Sequence, residues 1–142
     1  MIDVSDSSTA LIVPYGITSA AGAIHSVRRI GSGALVMPYG TMSAVELSLT
    51  SIMDKVFVDD WGQCKSGRFG ALRAHVEAGL VTGESIAGEL ADVVAGTRPG
   101  RESDDERILF WHRGLATTDL AVGHLLYERA VARGVGTVLH YR

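Results

Sequence analysis

What this chain has little of narrows its function before any motif is read. It carries a single cysteine, Cys64, among 142 residues. No intramolecular disulfide framework can hold it, and a reducing, cytoplasmic setting is the expectation. Positive charge is not in excess: 13 Lys and Arg stand against 16 Asp and Glu, a net charge of −3. That balance offers no basic field for nucleic acid and no polybasic segment for a membrane surface. No apolar run approaches the roughly 18–20 residues that span a bilayer. The opening "MIDVSDSSTALIV" lacks the basic start of a secretory signal, and its apolar run is short.

Several catalytic signatures are missing as well. No G-x-S-x-G is present, which excludes the usual serine-hydrolase arrangement. His25, His75, His124 and His140 are scattered without H-x-x-x-H or cysteine spacing, so no metal site is expected. Cys64 sits at no helix start and has no basic pair to mark a nucleophile, although Lys65 adjoins it. "GQCKSG" lacks Walker spacing, and no G-x-G-x-x-G follows a strand. The "GSG" at 31–33 precedes an apolar run, so it is no phosphate-binding turn.

What remains is the composition of one globular domain, 46% hydrophobic and 20% charged, long enough to bury an ordinary core. Its most distinctive feature is a repeated phrase, "LIVPYGITSA" from Leu11 and "LVMPYGTMSA" from Leu35. Each is an apolar run that ends in Pro-Tyr-Gly. Residues 10–13, 34–37 and 55–58 read as buried strands, apolar on both faces and bounded by turn formers. Such strands suit a parallel sheet covered by helices. "SAAGAIHSVRRIGSG" between the first two reads as a short crossover helix, giving βαβ and an α/β fold. Downstream, Ile86, Leu90, Val93 and Val94 have helical spacing. Ser103 and Glu106 have capping-box spacing, which predicts a helix that begins there and runs to Gly134, with a bend or close packing where Gly114 and Gly123 interrupt it. By that reading Asp104, Asp105 and Glu106 are helix-capping acids rather than a metal cluster. The closing "VGTVLHYR" reads as a short strand in need of a partner sheet.

Ligands of open α/β sheets bind beyond the carboxyl ends of the strands. Both Pro-Tyr-Gly phrases follow a strand and would lie on that rim, where glycine admits close approach and tyrosine offers a face and a hydroxyl. Two ordinary strand-to-loop turns account for the same residues. Asp59 and Asp60 end a strand on this rim too, and strand-ending acids are usually turn formers.

The second half carries a resemblance. "AGELADVVAGTRPGRESDDERILFWHRGLATTDLAVGHLLYERAVARGVGT" resembles the closing segment of the ornithine cyclodeaminase/mu-crystallin family, most specifically in "PGRESDDERILF" with Gly114, Asp119 and "GVGT". Upstream, "GALVMPYG", "VEL" and "DKVFVDD" fall in family order, so the likeness extends from about Ser7 onward. It implies NAD(P)-dependent enzymes and binding proteins, usually homodimers, with a Rossmann domain inserted into a substrate and dimerisation domain. On that template residues 1–100 would be the C-terminal half of a Rossmann-like parallel sheet, and residues 101–142 the helix and strand that return to the second domain.

Three departures accompany the resemblance. The glycine-rich cofactor turn and the basic groups that bind a substrate carboxylate have no counterpart here. The family's aspartate after the "GALVMPYG" strand is replaced by Thr41 and Met42, and the usual Ser-Val-Gly beside the nicotinamide reads His112-Arg113-Gly114. The resemblance implies that Pro14, Tyr15, Gly16, Pro38, Tyr39, Gly40 and Thr41, with His112, Arg113 and Gly114, surround the NAD or NADP cofactor. His112 suits a donor to a carboxamide or a general acid, and equally a packed helix histidine. Arg113 suits a bidentate anion fork or an exposed helix arginine. The expected function is the C-terminal part of an NAD(P)-dependent oxidoreductase or deaminase acting on a small amino or imino acid, inactive by itself. The alternative is a non-catalytic module that assembles with a copy of itself or with a separate N-terminal chain.

Overall fold

A computed structural model describes residues 10–13, 30–38, 47–65 and 72–140. The strands are β1 (Ala10–Val13), β2 (Leu35–Pro38), β3 (Lys55–Val58), β4 (Gly88–Glu89) and β5 (Ile108–Trp111). The helices are a 3-10 turn (Leu47–Ser51), α1 (Trp61–Cys64), α2 (Arg73–Glu77), α3 (Leu90–Val94) and α4 (Ala116–Arg133). The strands form one five-stranded sheet in the order β1-β2-β5-β3-β4, and every pairing is parallel. The α/β class and the three strands expected upstream are therefore present. The proposed crossover helix over 19–33 lies largely outside the described residues.

The order explains which face is covered. From β1 to β2, β2 to β3 and β3 to β4 the chain steps across the sheet in one direction, and right-handed crossovers put such connections on one face. From β4 to β5 it steps back, so α3 lies on the other face. The packing agrees. Leu49, Cys64, Leu72 and Val81 are buried against Val36, Val56, Val58, Leu109 and Trp111, the inward residues of the alternating strands. On the opposite face Leu35, Phe57, Ile108 and Phe110 line a cleft of about 170 Å³ with Leu90 and Val93 of α3 and the loop at Gly100 and Arg101.

Residues 108–111 form a strand, where sequence spacing predicted a helix from Ser103. "ILFW" sits between β2 and β3, with Leu109 opposite both Val36 and Val56. Bulky and β-branched residues filling a doubly flanked slot outweigh the local capping pattern. The acids before it make no helix start. Ser32 Oγ donates to Asp105 Oδ1 at 3.0 Å, the Glu102 N–H donates to Glu106 Oε2 at 2.9 Å, and Lys55 Nζ pairs with Glu106 Oε1 at 2.9 Å. The Arg101 guanidinium donates to the carbonyls of Gly33 and Glu106. The "PGRESDDER" segment is thus a clasp across the amino ends of β2, β3 and β5.

Helical structure resumes after Gly114, whose φ of +103° favours glycine, and α4 then runs 18 residues uninterrupted through Gly123. Gly134 ends it in the left-handed region, as its position in the sequence predicts. No residue of α4 is buried. The tail to residue 140 contains no strand among the described residues, in contrast to the expectation for "VGTVLHYR".

Candidate functional site

The carboxyl ends of β2, β3 and β5 lie side by side, and Asp59 joins them. It follows β3, its side chain is fully buried, and its carboxylate is surrounded by donors. Oδ2 accepts the backbone N–H groups of Arg113 at 2.8 Å and Gly114 at 2.7 Å. Oδ1 accepts the Asp60 N–H at 2.9 Å and lies 3.5 Å from the Cys64 thiol. Desolvating a carboxylate is costly, and several charge-assisted bonds to fixed donors offset that cost. The turn at 112–114 is therefore pinned to β3. The His112 N–H donates to the carbonyl of Pro38 at 3.2 Å, which ties the same turn to β2.

Asp60, one position on, faces outward and caps α1. Its side chain accepts the Gln63 N–H at 2.6 Å. Glu89 of the "GEL" triplet accepts the Trp61 N–H at 2.8 Å and shares a capping box with Asp92 at the start of α3. The Arg113 guanidinium reaches Gln63 Oε1 at 3.0 Å. Burial first, and then the Asp59 charge beside it, push the Cys64 thiol up to about 12, so it stays protonated.

Of the residues expected at the site, Pro38, His112, Arg113 and Gly114 do converge on one rim. Pro14, Tyr15, Gly16, Tyr39, Gly40 and Thr41 lie outside the described residues. His112 belongs to the end of a strand rather than to a helix. It shares a sheet face with Phe110, ring centroids 5.7 Å apart and stacked. The organising residue, Asp59, reads in sequence as a turn former beside Asp60. Its one sequence signal is that alternation after "KVFV" turns successive positions to opposite sides, so two acids there cannot share a role.

The sequence profile of the ornithine cyclodeaminase/mu-crystallin family matches residues 30–134. The chain belongs to that family. It is similar to the alanine dehydrogenase of Archaeoglobus fulgidus, 37% identical over 87 residues, which are 61% of this chain and 26% of that protein. Among solved structures it overlays an archaeal alanine dehydrogenase dimer with bound NAD at TM-score 0.65 and 30% identity, over 78% of this chain and 35% of that one. It also overlays the Thermococcus litoralis Δ1-pyrroline-2-carboxylate reductase, solved with NADH and L-proline, at TM-score 0.66 and 28% identity, over 76% and 34% of the two chains. The chain thus spans about a quarter to a third of the length of these family members. The segment "PGRESDDER", which carries the resemblance in sequence, is the amino-edge clasp, at the far end of the strands from the rim.

Proposed function

We propose that this chain supplies the nicotinamide-side rim of an NAD(P)-dependent oxidoreductase of the ornithine cyclodeaminase/mu-crystallin family, acting on a small amino or imino acid. The observation that carries the reading is the convergence of Pro38, His112, Arg113 and Gly114 at the carboxyl ends of adjacent parallel strands, held by a buried Asp59. Among the described residues a Cβ built on Gly114 would meet no atom within 4 Å, which leaves room beside the turn. The phosphates are a different matter. The N–H groups of Arg113 and Gly114 are already given to Asp59, so this turn has none to offer a pyrophosphate. When bound, a reduced nicotinamide supplies hydride. Pro38, His112, Arg113 and Gly114 would hold its ring at the rim.

In this reading the cofactor sheet includes β5 at Ile108–Trp111, and α4 with the tail leads into a substrate and dimerisation domain. The exposed apolar stripe of α4, including Leu120 (73% exposed) and Tyr127 (68%), favours packing against a second copy or a complementary N-terminal chain in the cytoplasm. The 142-residue chain alone then binds NADH without turning over. Fluorescence titration with NADH and an absorbance assay with Δ1-pyrroline-2-carboxylate test this. Binding with no turnover is the expected pair of results, and robust turnover would overturn the claim of inactivity. No NADH response at all favours the second reading, a non-catalytic assembly module, for which the bare stripe of α4 is the supporting observation.

A further inference from the structure

The side chain of Arg113 differs from the other cations of the molecule in what it meets. Arg107 pairs with Asp54, Arg73 with Glu77, and Lys55 with Glu102 and Glu106. The Arg113 guanidinium, half-buried at the rim, instead meets the carbonyl and side-chain oxygens of Gln63. Among the described residues it forms no ion pair. The acids of the same rim are engaged by backbone donors: Asp59 by Arg113 and Gly114, Asp60 by Gln63, and Glu89 by Trp61. A half-buried cation without a counter-ion is costly to desolvate and attracts an anion from solution.

The tether leaves one edge of the guanidinium to a ligand. Both contacts with Gln63 use Nη1, at 3.0 Å to Oε1 and 3.5 Å to the carbonyl. The N–H groups of Nε and Nη2 run parallel on another edge of the plane, and among the described residues they meet no acceptor. Both ends of the tether are fixed: the Arg113 N–H donates to Asp59 at 2.8 Å and the Gln63 N–H to Asp60 at 2.6 Å. We propose that this edge of Arg113 seats the carboxylate of the amino or imino acid substrate beside the nicotinamide, an inference that rests on the oxidoreductase reading. A carboxylate matches two parallel N–H donors, and pairing at both oxygens fixes its plane and the neighbouring carbon. By family resemblance this position lies in an uncharged Ser-Val-Gly turn, so the fork is a specificity device of this chain.

Nitrogen NMR of the arginine Nε–H groups in the full chain tests the seat without any need for turnover. Arg113→Lys, which keeps the charge and loses the fork, identifies the Arg113 signal by its disappearance. L-Proline and L-alanine are titrated in turn in the presence of NADH, with L-prolinamide and inorganic phosphate alongside. The expected result is an Nε–H shift that saturates with at least one of the two amino acids and is absent with L-prolinamide, which lacks the carboxylate. Arg113→Gln is expected to weaken that amino acid about tenfold, the scale of hydrogen bonds to a charged group. Should Arg113→Gln fail to fold, the wild-type titration decides alone. A signal that moves with neither amino acid, or equally with L-prolinamide, overturns the seat, and NADH binding measured alongside tells whether the oxidoreductase reading survives. A signal that moves with phosphate or NADH alone makes the fork a phosphate site and overturns the carboxylate assignment. If NADH does not bind and an amino acid still moves the signal, the cofactor reading fails and the carboxylate seat stands.

Discussion

Asp59 and Asp60 are the same amino acid at adjacent positions, and the structure gives them unrelated work. Asp60 caps α1 through the Gln63 N–H, whereas Asp59 accepts the N–H groups of Arg113 and Gly114. A sequence reader sees two turn formers, because Arg113 and Gly114, which bind Asp59 Oδ2, lie more than fifty positions away. Gly114 was legible as special, but the reason is conformational: at φ +103° any side chain is strained even in open space. Gly114→Ala is expected to cost about 1–2 kcal/mol, measured by urea melts, and to weaken NADH by displacing the turn. Cys64 provides a second check at this scale. Its folded thiol, pushed up to about 12, keeps its proton where an unfolded thiol has lost it, so stability falls as pH rises from about 9 toward 12. Correspondingly, a thiol reagent at about pH 8 should label Cys64 slowly in native protein and at once in denaturant. Rapid native labelling would contradict the burial.

Among the elements, β5 is one that sequence patterning misassigned. Its four residues are too few to show a period, and the capping-like acids before it suggested a helix. Only the ladder partners on both sides reveal a central strand. The acids serve the clasp instead, and their protonation has a sign that can be followed. Two backbone N–H donors from Glu102 and Arg107 lead the lowering of Glu106 and Asp54, which the Lys55 and Arg107 side chains reinforce. Carboxyls lowered in the folded state stabilise it above their unfolded value of about 4, and that contribution is lost as pH falls through the folded value. Thermal melts should therefore drop on acidification below about pH 4, and Asp54→Asn should flatten that slope. An Asp54→Asn protein with an unchanged acid profile would show that the Arg107 contact carries no weight.

For the whole molecule, the strand order decides more than any residue. It puts the connections from β2 to β4 on one face and α3 on the other. It also sends α4 away with its apolar stripe bare. Replacing Leu120 and Tyr127 together by Ser should move the sedimenting species toward monomer while shifting the melting temperature by no more than about 2 °C, since neither side chain is buried within the chain. A monomeric wild type would count against the packing role of α4. The sequence by itself determined the α/β class, three of the strands, the end of α4 at Gly134 and the family, because these rest on local apolar runs, turn residues and a contiguous string. Tertiary structure alone decided that Ile108–Trp111 is the middle strand, that the "PGRESDDER" segment is a clasp at the opposite end from the rim, and that Asp59 organises the site. Each of those depends on hydrogen bonds between distant segments, and a parallel sheet makes nearly all of its bonds that way.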